Sequence, residues 1–143
     1  DNIKQACYEL RAGNIYYENG ENNRRVILEE GDYILLIPKQ LIVIITMEKI
    51  NLPSDMMGRI LTKGQLFSIG IIPVNTYADP GFSGQLGIVL YNLSNDYLKL
   101  FPGQSIAKIE FSRLANCVKS PYHGQHGYDS KIWPRPDQMI LTE

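Results

Sequence analysis

Short apolar runs set the fold class of this 143-residue chain. β-branched and other apolar residues recur in brief segments separated by Gly, Pro, Asn and Asp about every 8–12 residues. This spacing is typical of a sandwich or barrel built from many short strands. Helical periodicity is poor, and only Gly64–Ile69 is a candidate for a helical turn. We therefore expect an all-β distorted jelly roll with little helix.

Two segments carry specific expectations within that pattern. Arg11–Asn14 combines a charged residue with Ala, Gly and Asn, which predicts a turn between strands at Ala6–Leu10 and Ile15–Tyr17. Leu41–Met47 is apolar at almost every position, which predicts a strand that is buried on both faces.

Composition excludes several classes of function. A chain of 16.3 kDa with 44% hydrophobic and 20% charged residues is expected to form one domain, residues 1–143. A net charge of −1 argues against binding of nucleic-acid polymers, which requires a dense basic face. No apolar run approaches the roughly 18 residues of a membrane-spanning helix, so no membrane partner is expected.

The ends and the cysteines bear on processing and location. The sequence begins at Asp1 with neither Met nor a signal-peptide pattern, so we expect a trimmed boundary there. Cys7 and Cys117 lie far apart and belong to no metal-type cluster. Two reduced thiols in a cytoplasmic protein is the preferred interpretation, and a single disulfide is the alternative.

The most informative stretch is Tyr77–Asn92. Pro80 fixes its backbone φ and Gly81 permits a positive φ, so a tight turn is expected before an apolar strand. Leu86–Leu90 is too apolar for a strand with one wet face, which predicts a central position in the sheet. Asp79 stands at the entrance to the turn. Either its side chain hydrogen-bonds its own turn, or it is a functional carboxylate.

Asp79-Pro80-Gly81-Phe82-Ser83-Gly84, followed by an apolar strand ending in Asn92, resembles the signature of the dCTP deaminase and trimeric dUTPase superfamily. Tyr8–Gly13, Thr46–Asp55 and Phe101–Phe111 resemble further motifs of that superfamily. The resemblance implies a dUTPase-like β-clip barrel, a homotrimer with sites between subunits, and a deoxypyrimidine nucleoside triphosphate as ligand. The hairpin would read the base through its main chain and hold deoxyribose against an aromatic ring. The contacts implied there are Tyr77, Ala78, Phe82 and Gln85.

The phosphate-binding motifs depart from the superfamily pattern. Lys63, Gly64 and Gln65 stand where an Arg-Ser-Ser triplet is usual, and a register shifted by one residue places Thr62 and Lys63 on Arg-Ser. Lys63 is then either a phosphate contact or a solvated surface residue. Lys108 replaces a Gln that contacts nucleotide or a neighbouring subunit in the superfamily.

The C-terminal segment, residues 120–143, resembles a lid. Tyr122–Ser130 is similar to the deaminase tail that closes over the triphosphate, with one residue fewer before its Ser. The resemblance implies substrate contacts by Tyr122, Gln125 and Ser130. His123 and His126 are three residues apart without a nearby Cys or helix, so no protein metal site is expected.

One position separates the two reactions of this superfamily. Deaminases place a Glu ten residues after the motif Asp for proton transfer, and here that residue is Val89. The central strand instead resembles that of dUTPases. This resemblance implies that Asp79 orients the water that attacks the α-phosphate, with Mg²⁺ bound to the phosphates. Three hypotheses follow: a pyrophosphohydrolase acting on dUTP or dCTP, a deaminase-like protein with altered catalytic residues, or a catalytically silent nucleotide-binding module.

Overall fold

The computed structural model describes residues 3–4, 7–18 and 24–123. Within these residues the chain forms strands and one short helix. In chain order they are β1 (Ile3–Lys4), β2 (Cys7–Glu18), β3 (Arg25–Ile27), β4 (Ile34–Leu36), β5 (Leu41–Asn51), β6 (Met56–Thr62), α1 (Gly64–Ser68), β7 (Ile71–Pro73), β8 (Tyr77–Ala78), β9 (Ser83–Asn92), β10 (Leu98–Leu100) and β11 (Ser105–Arg113). The predicted all-β architecture is confirmed, and so is the helical turn.

The described strands pair antiparallel throughout. The main sheet runs β7-β9-β5-β2-β11-β6-β8, with β1 and β3 also paired to β2. β4 and β10 form a separate two-stranded sheet. β9 is hydrogen-bonded along both edges, to β5 and, over its last residues, to β7. The predicted central position is thus confirmed only for the last residues of β9, since its first half is paired with β5 alone.

The core lies on the concave side of this curled sheet. Side chains from β2, β5, β9 and β11 fill it together with those of β4, β6 and β7. Its largest fully buried apolar members are Leu10, Ile34, Leu36, Ile42, Ile44, Ile60, Ile71, Ile88, Leu90, Ile106 and Ile109. Ile42, Val43 and Ile44 are buried in succession, which confirms that the first half of β5 is covered on both faces.

The predicted turn at Arg11–Asn14 is wrong. β2 passes through this stretch without interruption, and the irregularity is a register shift against β5 between Ala12 and Tyr16. A Cβ on Gly13 would lie 2.5 Å from the carbonyl oxygen of Ile45. Gly13 is therefore required for a close approach of two strands, which a sequence pattern does not distinguish from a turn.

Candidate functional site

The turn between β8 and β9 leaves its carboxylate free. The Phe82 amide donates to the Asp79 carbonyl oxygen at 3.0 Å, and Gly81 has a φ of 89°. With Pro80 at the second position, this is the arrangement of a type II turn. The turn is closed by the Asp79 main chain, and within the described residues its exposed carboxylate has no hydrogen-bond partner. The interpretation in which the Asp79 side chain caps its own turn is therefore not supported.

A cavity of about 250 Å³ opens beside this turn. We call it the hairpin pocket. It brings together six of the residues predicted from the sequence, namely Tyr77, Ala78, Asp79, Phe82, Gln85 and Tyr122. The remaining lining residues are Ile60, Thr76, Leu86 and Gly87.

Two aromatic rings form one wall of the hairpin pocket. Phe82 is buried, and its ring centroid lies 5.3 Å from that of Tyr122 at an interplanar angle of 59°. The Tyr122 amide donates to the Pro80 carbonyl at 2.8 Å. A Cβ on Gly81 would lie 2.6 Å from the Cβ of Pro121. The beginning of the C-terminal segment is thus fitted against the hairpin of its own chain.

The edge of β9 that faces the pocket presents main-chain groups. Residues of a strand direct their N–H and C=O groups to alternate sides. Val89 directs its carbonyl towards Val74, which donates to it at 2.9 Å, whereas the Leu86 amide is directed towards β5. Gln85 and Gly87 therefore direct their main-chain groups to the pocket side. This edge has the donors and acceptors that recognition of a planar base requires.

The Gln85 side chain is held by a bulge in β5. Between Ile45 and Lys49 the register against β9 shifts, so that extra residues of β5 face Leu86. Thr46 fills this gap: its Oγ1 accepts from the Leu86 amide at 3.0 Å, and its carbonyl accepts from Gln85 Nε2 at 2.7 Å.

An ion pair between a half-exposed arginine and a buried glutamate supports the other end of the bulge. Glu48, whose side chain is 8% exposed, accepts hydrogen bonds from the Arg11 amide and from Arg11 Nε at 2.9 and 2.7 Å. The hydrogen bond to Glu48 raises the pKa of Arg11 above its ordinary value. β5 is consequently tied to β9 through Thr46 and to β2 through Glu48.

The predicted phosphate contacts lie elsewhere. Lys63 Nζ is 3.1 Å from Glu9 Oε1, and Lys108 stands directly opposite Glu9 in the ladder between β11 and β2. Lys63 and Lys108 do not line the hairpin pocket, and neither do Gly64 and Gln65, which begin α1. Within one described chain the base-side and phosphate-side candidates are therefore separate.

Val89 is half-buried on the face of β9 that points away from the core. Ile88 and Leu90, its neighbours on either side, point into the core. Val89 shares its face with Gln85 and Gly87. It offers no group for proton transfer.

Some of the sequence-based expectations fall on residues that the structure does not describe. Gln125 and Ser130 lie outside the described residues. Across the described ranges, no group of three or more His, Cys, Asp or Glu side chains could hold a metal ion, and no helix is long and apolar enough to cross a membrane.

Sequence reasoning missed Thr76, Gly87 and the support given by Thr46. Gly87 carried a usable signal, because a Gly inside an apolar strand indicates close approach of another group. Thr46 carried none, since its role depends on a bulge.

Two solved structures share the fold. A 2'-deoxycytidine 5'-triphosphate deaminase from Agrobacterium tumefaciens aligns with a TM-score of 0.68 at 17% identity, covering 78% of this chain and 40% of that one. A mutant dUTPase from phage phi11 of S. aureus, described with a structural Mg(II) ion, aligns at 0.59 and 12% identity over 87% of each chain.

The family model described as "dCTP deaminase-like" matches residues 1–114. A "dCTP deaminase, dUMP-forming" from Dictyoglomus thermophilum is 34% identical over 158 aligned positions, covering 97% of this chain and 81% of the relative. The chain belongs to the dCTP deaminase-like family. It lies within a superfamily whose members act on deoxypyrimidine nucleotides.

Proposed function

We propose that this protein is a pyrophosphohydrolase of deoxypyrimidine nucleoside triphosphates, acting on dUTP or dCTP. The observation that carries the proposal is the Asp79 carboxylate, exposed at the hairpin pocket and without a hydrogen-bond partner in the described part of the chain. A free carboxylate beside a substrate can orient a water molecule and accept its proton.

The proposed reaction balances as follows. The water oxygen forms a bond to the α-phosphorus while the bond from that phosphorus to the α–β bridging oxygen breaks. Asp79 accepts the proton, and pyrophosphate leaves with the bridging oxygen. The products are a deoxynucleoside monophosphate and pyrophosphate.

Within residues 3–4, 7–18 and 24–123, the hairpin pocket offers a single protein carboxylate to a magnesium ion. Asp79 is the one carboxylate among the described residues that line the hairpin pocket. Mg²⁺ in nucleotide enzymes is commonly held by one or two carboxylates together with substrate phosphates. Asp79 is the residue that would help to hold the ion, and a bound Mg²⁺ would neutralise charge on the phosphates.

Phe82 supports a deoxyribose rather than a ribose. Its ring is buried in the pocket wall, against Tyr122. A 2′-hydroxyl placed against that apolar surface without a partner would cost about 1–3 kcal/mol.

The free thiols of Cys7 and Cys117 are in keeping with the reducing cytoplasm, which we propose as the location.

We further propose that the site is shared between copies in a homotrimer. Lys63, Gly64, Gln65 and Lys108 lie away from the hairpin pocket of their own chain. A neighbouring copy would bring these residues to the phosphates bound at this pocket. The lid proposed for residues 120–143 would begin at Tyr122 and use Gln125 and Ser130.

A catalytically silent binding module is the second candidate. Lys63 is paired with Glu9, so its charge is partly neutralised before any phosphate binds. Gly64 and Gln65, which follow it, lack the hydroxyl groups of the superfamily triplet. Deamination by the family's mechanism is disfavoured by Val89.

A paired assay decides between these functions. Wild-type protein and Asp79→Asn are incubated with dUTP and with dCTP in the presence of Mg²⁺, and pyrophosphate and ammonia are measured separately. We expect pyrophosphate without ammonia, and a loss of about a hundredfold or more in turnover for Asp79→Asn with nucleotide affinity nearly unchanged. Binding without release of either product would support the silent module, and ammonia from dCTP would contradict our interpretation of Val89.

A further inference from the structure

We infer that Gln85 determines the base specificity of the hairpin pocket, presenting its amide oxygen as an acceptor that favours a 4-aminopyrimidine over a 4-oxopyrimidine. The inference rests on the proposed function, because it assumes that a pyrimidine base occupies this pocket. It selects cytosine nucleotides over uracil nucleotides as the preferred ligands.

The orientation of the amide follows from its partner. The atom of Gln85 that lies 2.7 Å from the Thr46 carbonyl must be the nitrogen, because a carbonyl oxygen can only accept a hydrogen bond. The usual ambiguity between the nitrogen and oxygen of a side-chain amide is removed here. Thr46 belongs to β5, so the donor is turned towards that strand.

The oxygen of the same amide is turned away from β5. At this height β5 occupies one edge of β9, where Lys49 stands opposite Gln85, and the hairpin pocket opens on the other side towards Thr76–Asp79. Within the described residues Gln85 Oε1 has no hydrogen-bond partner, so it remains available as an acceptor.

An acceptor held at a fixed position discriminates between the two bases. Cytosine carries an amino group at C4, which donates a hydrogen bond, whereas uracil carries a carbonyl oxygen that can only accept. A site built around one pattern rejects the other because two acceptors face each other without a hydrogen. The β5 bulge prevents the amide from turning over, since rotation would bring its oxygen against the Thr46 carbonyl.

The test is equilibrium binding of nucleotides that the protein cannot cleave. The full chain is titrated by calorimetry with the α,β-imido analogues of dCTP and dUTP, using wild type, Gln85→Ala and Gln85→Met. Gln85→Met keeps the length of the side chain and removes both polar atoms, so it separates packing from hydrogen bonding. Gln40→Ala is the matched control, because the side-chain amide of Gln40 also bonds the main chain, its Oε1 accepting from the Ile37 amide, at a place outside the pocket.

We expect wild type to bind the dCTP analogue about tenfold more tightly than the dUTP analogue. Both Gln85 variants should lose this preference, through weaker binding of the dCTP analogue with no loss of affinity for the dUTP analogue, and Gln40→Ala should retain it. Equal affinities in wild type, tighter binding of the dUTP analogue, or an equal loss for both analogues in Gln85→Met would overturn the inference and leave the proposed function standing. Failure of both analogues to bind wild type would overturn the two together.

Discussion

At the scale of single residues, Tyr16 combines a buried ring with a titratable hydroxyl. Its hydroxyl donates to Glu18 Oε1 at 3.4 Å. Burial, followed by the negative charge of Glu18, raises the pKa of Tyr16 above its ordinary value of 10.0. The unfolded chain therefore releases this proton at lower pH than the folded protein does.

It follows that the free energy of unfolding should fall as pH rises above about 10, because deprotonation then favours the unfolded chain. The contribution of Tyr16 is fully present below pH 10 and is lost as pH passes through its raised value. Urea unfolding between pH 8 and pH 11 should show a shallower decline for Tyr16→Phe than for wild type. Parallel declines for the two proteins would refute this assignment.

Val89 permits a second test at this scale. It is half-buried on the outward face of β9, so a carboxylate there can reach water. We expect Val89→Glu to lower the free energy of unfolding by about 1–2 kcal/mol, and Ile88→Glu, in the core, to lower it by several kcal/mol. Thermal unfolding compares the two. Equal losses would mean that Val89 belongs to the core, and ammonia release from dCTP by Val89→Glu would indicate that the position still reaches the base.

The sequence predicted the residues of the hairpin pocket better than those around it. Asp79, Phe82 and Gln85 lie on one short hairpin, so local turn chemistry and strand alternation bring them together. Tyr122 could be added through its resemblance to a family tail. The pairing of Lys63 with Glu9 could not be foreseen, because it joins residues 54 positions apart across the sheet.

At the scale of elements, the hairpin turn and residues 121–122 act as one unit. Gly81 and Gly31 both have a left-handed φ, of 89° and 88°. A Cβ added at Gly81 would lie against Pro121, whereas one added at Gly31 would meet nothing within 4 Å. Gly81→Ala and Gly31→Ala should each lower the free energy of unfolding by about 1 kcal/mol, because alanine is strained at a positive φ. Only Gly81→Ala should also displace Pro121 and Tyr122 from the turn.

We therefore expect Gly81→Ala to weaken binding of the dCTP analogue by about tenfold and Gly31→Ala to leave it unchanged. Calorimetry measures the affinity, and thermal unfolding measures the shared strain. Identical nucleotide affinities in the two variants would show that contact between the turn and residues 121–122 is dispensable for binding.

The elements themselves were predictable to different degrees. Alternation and apolar runs located β5 and β9, since both are long and pack on the core. The bulges escaped detection, because a bulge leaves the composition of its strand unchanged. At Gly13 the pattern indicated a turn where the chain in fact continues and approaches the β5 backbone.

At the scale of the whole molecule, the proposed sharing of the site between copies would make activity a property of the assembly. We expect a homotrimer by light scattering at micromolar concentration, and a monomer mass would contradict it. The phosphate-side residues should then act across the interface, so Asp79→Asn and Lys63→Ala inactivate different halves of one site.

Co-expression of these two variants provides the corresponding measurement. Random mixing should restore about a quarter of the wild-type sites, because each such site needs Asp79 from one variant and Lys63 from the other. Each variant purified alone serves as the control. Absence of any recovery in verified mixed trimers would contradict the action of Lys63 across the interface, and full activity of Lys63→Ala alone would place Lys63 outside the site.

The order of strands also has a consequence for how the chain reaches this structure. β2 lies between β5 and β11, and its Arg11 is paired with Ser105, 94 positions further along the chain. Pairings at such separation carry a large loop-closure entropy, and proteins rich in them fold in milliseconds to seconds. During synthesis the main sheet cannot close until β11 has left the ribosome. Until then β2 presents an open edge, which exposes its unpaired main-chain groups to pairing with other chains.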